Sequence, residues 1–475
     1  RKRFLNSSFE MDYKSSFIPE KTDFTLEAIS TQLNPFEIPP NFEILETEIT
    51  PSDFLQAAAY LAESFSKHDI SQIKKALMAL KDFSLIDIPE VRKQLISMHF
   101  FDIFIELVDL SKNLSGLDEQ ISISIELEQI SQFSFMGILL MTQISDFSIY
   151  SFLQCNFIPV FLQNFYEYSR LSQKLGLYSL SNMIIQMPNE TFGALSQNIF
   201  QKRMLISFFN QGQDQEMSNQ NQPKLGYGKI FEIIDKESNE SELQLSVFTL
   251  LSSICYRLSL LTINDELNQF ELAITHRIFN PDNCYFDICQ NQSSRRELFK
   301  AVYRLCINSI DVDKYIASNE IIVSKFADLF RSEKSSDCEL VLYLFSLLAE
   351  RSNTPEVQQY LVSKIPWKSL LVKLRNNELA WYSLFFNLVD QFSQPYTIEY
   401  FFQKEVFFDL LQDFEQFSNI SRIDILKLFV GIINRVPPEI CFHFIQIGIM
   451  NLLFNLINYD DSNIINMILD TLHLI

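Results

Sequence analysis

Glycine is the scarcest structural resource in this sequence: nine occur in 475 residues. Strand-rich sandwiches, barrels and nucleotide-binding folds use glycine for tight turns and close backbone approach, so this poverty points to helices. Gly226-Tyr227-Gly228 lacks the longer glycine pattern and the lysine of a phosphate loop, and neither Gly-x-Ser-x-Gly nor His-Glu-x-x-His occurs. The five histidines, His68, His99, His276, His443 and His473, have no second ligand type at metal spacing. Cysteine is sparse and odd in number: Cys155, Cys255, Cys284, Cys289, Cys306, Cys338 and Cys441. They lie inside apolar helical patterns, which suggests reduced thiols rather than a disulfide framework. Cys284 and Cys289 are the one close pair, with no second pair to complete a zinc site. Long apolar runs are missing too. The nearest, Leu243–Ile263, is interrupted by Gln244, serines and Arg257, so no membrane insertion is expected.

Positive charge is also short. Against 59 acidic residues stand 38 basic ones, a formal net charge of −21, and no basic stripe is visible. Such a surface repels phosphates, which argues against nucleic-acid binding. It keeps a long chain soluble, and it suits partners with neutral or basic segments. Acidic pairs such as Asp460-Asp461 and Asp337/Glu339 fall at expected helix starts, where the helix dipole accounts for them without acid–base chemistry. The reading is of a non-enzymatic chain without cofactor or metal, acting inside the cell, in the cytoplasm or the nucleus.

What the sequence has in quantity is phenylalanine, 45 of them, in helical periodicity. Residues 1–51 carry Pro19, Pro35, Pro39 and Pro40 without a sustained period and read as extended or disordered. Helices are expected from Pro51-Ser52-Asp53 onward, over Ser71–Phe83, from Pro89, over Phe100–Leu110, and over Leu127–Ile144. Ser111–Ser122 reads as an enlarged loop, and NQGQDQEMSNQNQP at Asn210–Pro223 as a mobile polar insertion. Thr262–Ser293 is the least legible region. Further on, first helices are expected to open at Pro355, Pro395 and Pro438, where proline loses no ladder hydrogen bond. Second helices read as Ile321–Phe330, Pro366–Leu374, Val406–Phe414 and Ile449–Ile457. Third helices recur near Ser336, Asn377, Ser418 and Asp460, at intervals of about 41 residues.

The clearest instance of this grammar is NFIPVFLQNFYEYSRLSQKLGLYSLSNMIIQMP, Asn156–Pro188. A short apolar helix, a polar turn at Tyr168-Ser169-Arg170 and a long helix apolar nearly all round follow one another. A helix of that last kind must be covered on several sides. Phe157-Ile158-Pro159, and Gly176-Leu177-Tyr178-Ser179-Leu180-Ser181-Asn182-Met183 after it, resemble the second-helix and third-helix signatures of an armadillo repeat. Asn156 stands where that family usually has glycine. The resemblance implies an all-α fold, a right-handed α-solenoid over 52–475 with roughly nine repeats. HEAT-type helix pairs and an irregular multi-domain helical protein are the other architectures open to this pattern. In armadillo proteins the third helices line a concave groove that holds an extended peptide. By position the resemblance nominates Tyr178 and Asn182, then Trp381 and Asn387, as peptide-binding residues, with Asn308 and Asn434 behind them. It implies a protein-interaction scaffold or adaptor; an importin-alpha-like import adaptor and a helical regulatory subunit are the alternatives.

Overall fold

The computed structural model describes residues 49–80, 82–110, 121–187, 227–240, 242–261, 265–281, 284–289, 291–330, 355–375, 395–417, 419–433 and 436–456, with scattered further positions between and after them. Residues 111–120, the Asn210–Pro223 insertion, the segment before Ile49 and most third-helix positions after 330 lie outside the described residues. Everything described is helix, turn or coil, without a strand. The helices are α1 Pro51–Ser66, α2 Ile70–Ala79, α3 Pro89–Ser97, α4 Phe100–Asp109, α5 Ile121–Ile144, α6 Asp146–Gln154, α7 Phe157–Gln163, α8 Arg170–Gln186, α9 Tyr227–Glu237 and α10 Gln244–Leu258. There follow α11 Asp265–Ile278, α12 Tyr285–Ile288, α13 Gln292–Asn308, α14 Ile310–Ser318, α15 Glu320–Leu329, α16 Pro355–Lys364, α17 Trp367–Arg375, α18 Pro395–Gln403, α19 Val406–Gln412, α20 Asn419–Ile433, α21 Pro438–Gln446 and α22 Ile449–Leu456.

Local chemistry sets most of these boundaries. Thr50, one residue ahead of the expected start, closes a capping box on α1: its hydroxyl accepts from Asp53 N at 3.2 Å and Asp53 Oδ2 accepts from Thr50 N at 3.1 Å. Ser145, Ser169 and Ser309 cap α6, α8 and α14 through their side chains. Proline occupies the first position of α1, α3, α16, α18 and α21, as the sequence led us to expect. Two boundaries differ from expectation by more than two residues. The helix expected over Ser71–Phe83 ends at Ala79, because Asp82 accepts from Ser84 N at 3.0 Å and starts a separate 3-10 turn, Phe83–Asp87. The helix expected from Leu127 begins six residues earlier, at Ile121.

The described residues divide into two units, one up to 262 with 287–301, the other 263–286 with 302 onward, so that α12 and α13 each contribute to both. In the first unit α2 packs on α5, α5 on α8 and α8 on α10. In the second unit the first helices do the same, α14 on α16 and α16 on α18, and the second helices α17 and α19 pack together. Like therefore packs on like, one repeat along. Phenylalanines fill the seams. Phe135 of α5 meets Phe157 and Phe161 of α7 at 6.4 and 5.7 Å, and Phe407, Phe429 and Phe444 form a triangle in the second unit. Each such ring, fully buried, contributes roughly 1.5–3 kcal/mol.

One backbone feature marks the repeat, and only one of the four positions that carry it is a glycine. The residue joining a first helix to a second takes left-handed φ at His99 (53°), Asn156 (61°), Glu405 (61°) and Gly448 (100°). At each, the junction N–H donates to the carbonyl three residues back: His99 to Ile96, Asn156 to Leu153, Glu405 to Phe402, Gly448 to Ile445. Asn156 thus starts α7 by its backbone, without a side-chain cap. The residues one and five places after each junction, Phe100 and Phe104, Phe157 and Phe161, Val406 and Leu410, Ile449 and Leu453, are all buried. After Asn156 and after Glu405 the correspondence runs without a gap: a seven-residue helix, a three-residue 3-10 turn, then the third helix. Even the side chain that closes the turn matches. Gln173 Nε2 donates to Phe165 O and Tyr168 O, and Arg422 donates to Glu415 O and Phe417 O.

Left-handed backbone costs a residue with a Cβ about 1–2 kcal/mol, and least for asparagine. Glycine gives back part of that gain as unfolded-chain entropy. His99→Gly and Glu405→Gly are therefore expected to raise stability by about 0.5–1 kcal/mol, and Asn156→Gly to leave it nearly unchanged. Urea unfolding reads the difference. Destabilisation at both His99 and Glu405 would contradict the junction geometry.

Candidate functional site

The armadillo resemblance directs attention to α8, and the structure places its two nominated residues inside. Tyr178 and Asn182 are each 5% exposed. They share one helix face, as their four-residue spacing requires, but every residue from Leu175 to Ile184 is buried, with α5 on one side and α10 on another. Ser179 and Ser181 spend their hydroxyls on Leu175 O and Leu177 O of the same helix, each at 2.9 Å. Burial, and after it the charge of Glu297, pushes the Tyr178 phenol far above its ordinary range. In this packing the pair is interior rather than turned to an open groove surface. Asn308 is likewise interior, donating to the Glu271 carboxylate. Trp381, Asn387 and Asn434 lie outside the described residues.

The polar groups that α5 and α8 do expose lie in their N-terminal halves. On α5, Glu126 and Glu128 are exposed and Gln129 and Gln132 half-buried; on α8, Arg170 is exposed and Leu171 and Lys174 half-buried. These groups are linked from helix to helix. Lys74 of α2 donates to Gln129 of α5, Gln132 reaches Glu128 at 3.1 Å and Ser169, the α8 cap, at 3.4 Å. Arg170 reaches Gln173 at 3.1 Å and Glu237 of α9 at 2.7 Å. A polar ladder thus crosses four helices of the first unit. Its sequence signal is the change from ELEQISQ to the mainly apolar FSFMGILLM in α5, and from RLSQK to LGLYSLS in α8.

Beside the ladder stands Tyr166, in the 3-10 turn Phe165–Glu167 between α7 and α8. Lys229 and Lys236 of α9 each hold Nζ 5.2 Å from its ring centroid, and both bond Glu232 Oε1, at 3.2 and 2.9 Å. Partial burial, then Glu237 and Glu232, push the phenol up to about 12, with Arg170 acting against them.

Cys155 donates to Asp102, which also meets His99 Nδ1 at 3.3 Å, but burial and the carboxylate hold the thiol at about 12, far from a nucleophilic thiolate. Cys284 and Cys289 are each buried, and among the described residues no three acidic, histidine or cysteine side chains converge at metal spacing. No described helix is long and apolar enough to cross a membrane.

No family model matches the chain, and no curated protein matches it. Among solved structures, one engineered protein is similar over 88% of this chain and 98% of its own, at 14% identity and a TM-score of 0.47. A second engineered protein is similar over 62% of this chain and 98% of its own, at 14% identity and 0.39. A chain from structural work on the phosphorylation-controlled interaction between cadherin and beta-catenin is similar over 85% of this chain and 64% of its own, at 11% identity and 0.48. Likenesses at this level assign neither family nor function.

Proposed function

We propose that the chain is an armadillo-like right-handed α-solenoid and acts as a non-enzymatic scaffold, holding an extended segment of another protein across the first turns of its third helices. The supporting observation is the packing of like helices in order, α2, α5, α8 and α10 in one unit and α14, α16 and α18 in the other. Side-chain bonds join neighbouring repeats in the same way, as from Gln132 to Ser169, Tyr168 to Asp109 and Tyr360 to Glu320. One repeat cannot cover its own apolar faces, whereas a stack makes a continuous core and leaves a long polar surface for recognition. Gln129 and Gln132 suit an extended backbone, since a primary amide both donates and accepts. The acidic balance of the whole chain favours neutral or basic segments.

The test is a display library of random linear peptides selected on the full chain, with affinities then measured against Gln132→Ala/Arg170→Ala. Enriched peptides are expected to lose at least about tenfold in affinity, roughly 1.4 kcal/mol, with helicity retained. No enrichment, or peptides indifferent to the double variant, would overturn the proposal.

A further inference from the structure

Tyr166 is 44% exposed, although the aromatic residues flanking it, Phe165 and Tyr168, are buried. Exposed aromatics are common and carry nothing by themselves. Tyr150, at 47%, is comparably exposed with no cation over its ring among the described residues. Tyr166 differs in having two ammonium groups from a different helix on one side of its ring. Those two lysines share a single carboxylate oxygen, Glu232 Oε1, while Glu237 is engaged by Arg170 at 2.7 Å. Counting these five side chains, one positive charge beside the ring has no carboxylate of its own. The two ammonium groups lie over the ring, while the phenol oxygen itself feels Glu237 and Glu232 with Arg170 against them.

We propose that Tyr166 is a phosphorylation site, its phosphate held by Lys229 and Lys236 of α9 with Arg170 of α8 alongside. The donor is a nucleoside triphosphate brought by a protein tyrosine kinase. Tyr166 Oη attacks the γ-phosphorus, an O–P bond forms, the bond to the β,γ-bridging oxygen breaks and the nucleoside diphosphate leaves. The phenol proton passes to the kinase's base. The modified side chain carries about −1.5 to −2 charge and three acceptor oxygens where there was a neutral hydroxyl. It converts two cation–ring contacts into charge-assisted hydrogen bonds, which are shorter and stronger. Glu232, 43% exposed at its side chain, is free to turn to solvent as the lysines change partner. The consequence is a firmer attachment of α9 to the turn between α7 and α8, next to the polar ladder. This inference stands on the Tyr166 cluster and does not depend on the peptide-binding proposal.

Two measurements on the full chain test it. Treatment with a broad-specificity tyrosine kinase and MgATP, followed by peptide mass spectrometry, is expected to label Tyr166; labelling that spares Tyr166 while reaching Tyr150 would overturn the site. Phosphotyrosine installed at 166 by codon reassignment is expected to raise Tm by about 2–4 °C and to slow amide exchange in α9 at least about fivefold. Both gains are expected to shrink in about 1 M salt and to vanish in Lys229→Gln/Lys236→Gln, whose fold is checked by circular dichroism. An unchanged or lowered Tm, or a gain that persists without the two lysines, would refute the phosphate cradle.

Discussion

Gly176→Ala is expected to destabilise the first unit by about 3 kcal/mol, against the direction of helix propensity, which favours alanine by about 1 kcal/mol. A Cβ on Gly176 would stand 2.2, 2.5 and 2.9 Å from Cε2, Cζ and Cδ2 of Phe161. That ring cannot step aside. It is stacked between Phe157 at 5.6 Å and Tyr168 at 6.0 Å, and the edges of Phe135 and Phe165 close on it at 5.7 and 5.6 Å. Tyr168 in turn is pinned by its hydroxyl, which donates to Asp109 Oδ1 at 2.8 Å. A close-packed interior transmits such an overlap into backbone shift or off-rotamer side chains. Gly137 and Phe104 repeat the arrangement one repeat earlier with more room, 2.6 Å to the nearest ring atom, so Gly137→Ala is expected to cost less. Phe161→Leu removes the offending ring edge and should restore part of what Gly176→Ala loses, giving a favourable coupling in a double-mutant cycle. Urea unfolding of the four variants supplies the measurement. A Gly176→Ala chain within about 0.5 kcal/mol of the parent would show that the third helix does not lie this close to the second.

The glycine position also shows how far the sequence could be read. The prolines at residues 51, 89, 355, 395 and 438 sit at the first turn of a helix, a rule of local chemistry, and those starts were legible. The junction residues were not. Histidine at 99 and glutamate at 405 take a conformation that local propensity disfavours, so the stacked helices on either side must impose it. The burial of Tyr178 and Asn182 has a related reason. The spacing of Tyr178 and Asn182 fixes only that they share a face, while the all-round apolar character of α8 foretold that every face would be covered. The second signal was stronger than the first. The polar ladder was legible as composition in the N-terminal halves of α5 and α8, but the Gln132–Ser169 link exists only once the two helices pack together. Tyr166 gave no warning, because its lysines lie more than sixty residues away on a helix beyond the polar insertion.

The second unit is expected to lose stability as pH rises from about 5 to 8, and Glu271 is the principal cause. Its side chain is fully buried on α11. Asn308 donates to Oε1, and among the described residues Oε2 has no hydrogen-bond partner. Nearby, the buried Cys306 thiol feels both Glu271 and Asp313, and Arg351 is the cation of the group. That guanidinium is committed to Asp313 Oδ2 at 2.8 Å and to the carbonyls of Cys306 and Ile307, which leaves two carboxylates to one positive charge. Burial raises the Glu271 carboxyl from 4.5 to about 7, with the Asn308 bond opposing. Below pH 4.5 folded and unfolded chains are both protonated there and burial costs nothing. Between 4.5 and 7 the folded chain keeps a proton that the unfolded chain has released, so each step up in pH favours unfolding. Above 7 the cost is complete, on the order of 3 kcal/mol. Asp313, raised from 3.8 to about 6 by burial against the pull of Arg351, adds a decline of the same sign at lower pH. Glu271→Gln keeps the shape and the Asn308 contact without the titration. Its urea curve is expected to show a chain about 2 kcal/mol more stable than the parent at pH 8, with the two converging near pH 5. A difference that does not change with pH, or a parent chain more stable at pH 8 than at pH 5, would mean that this carboxyl is ionised in the fold and solvated after all.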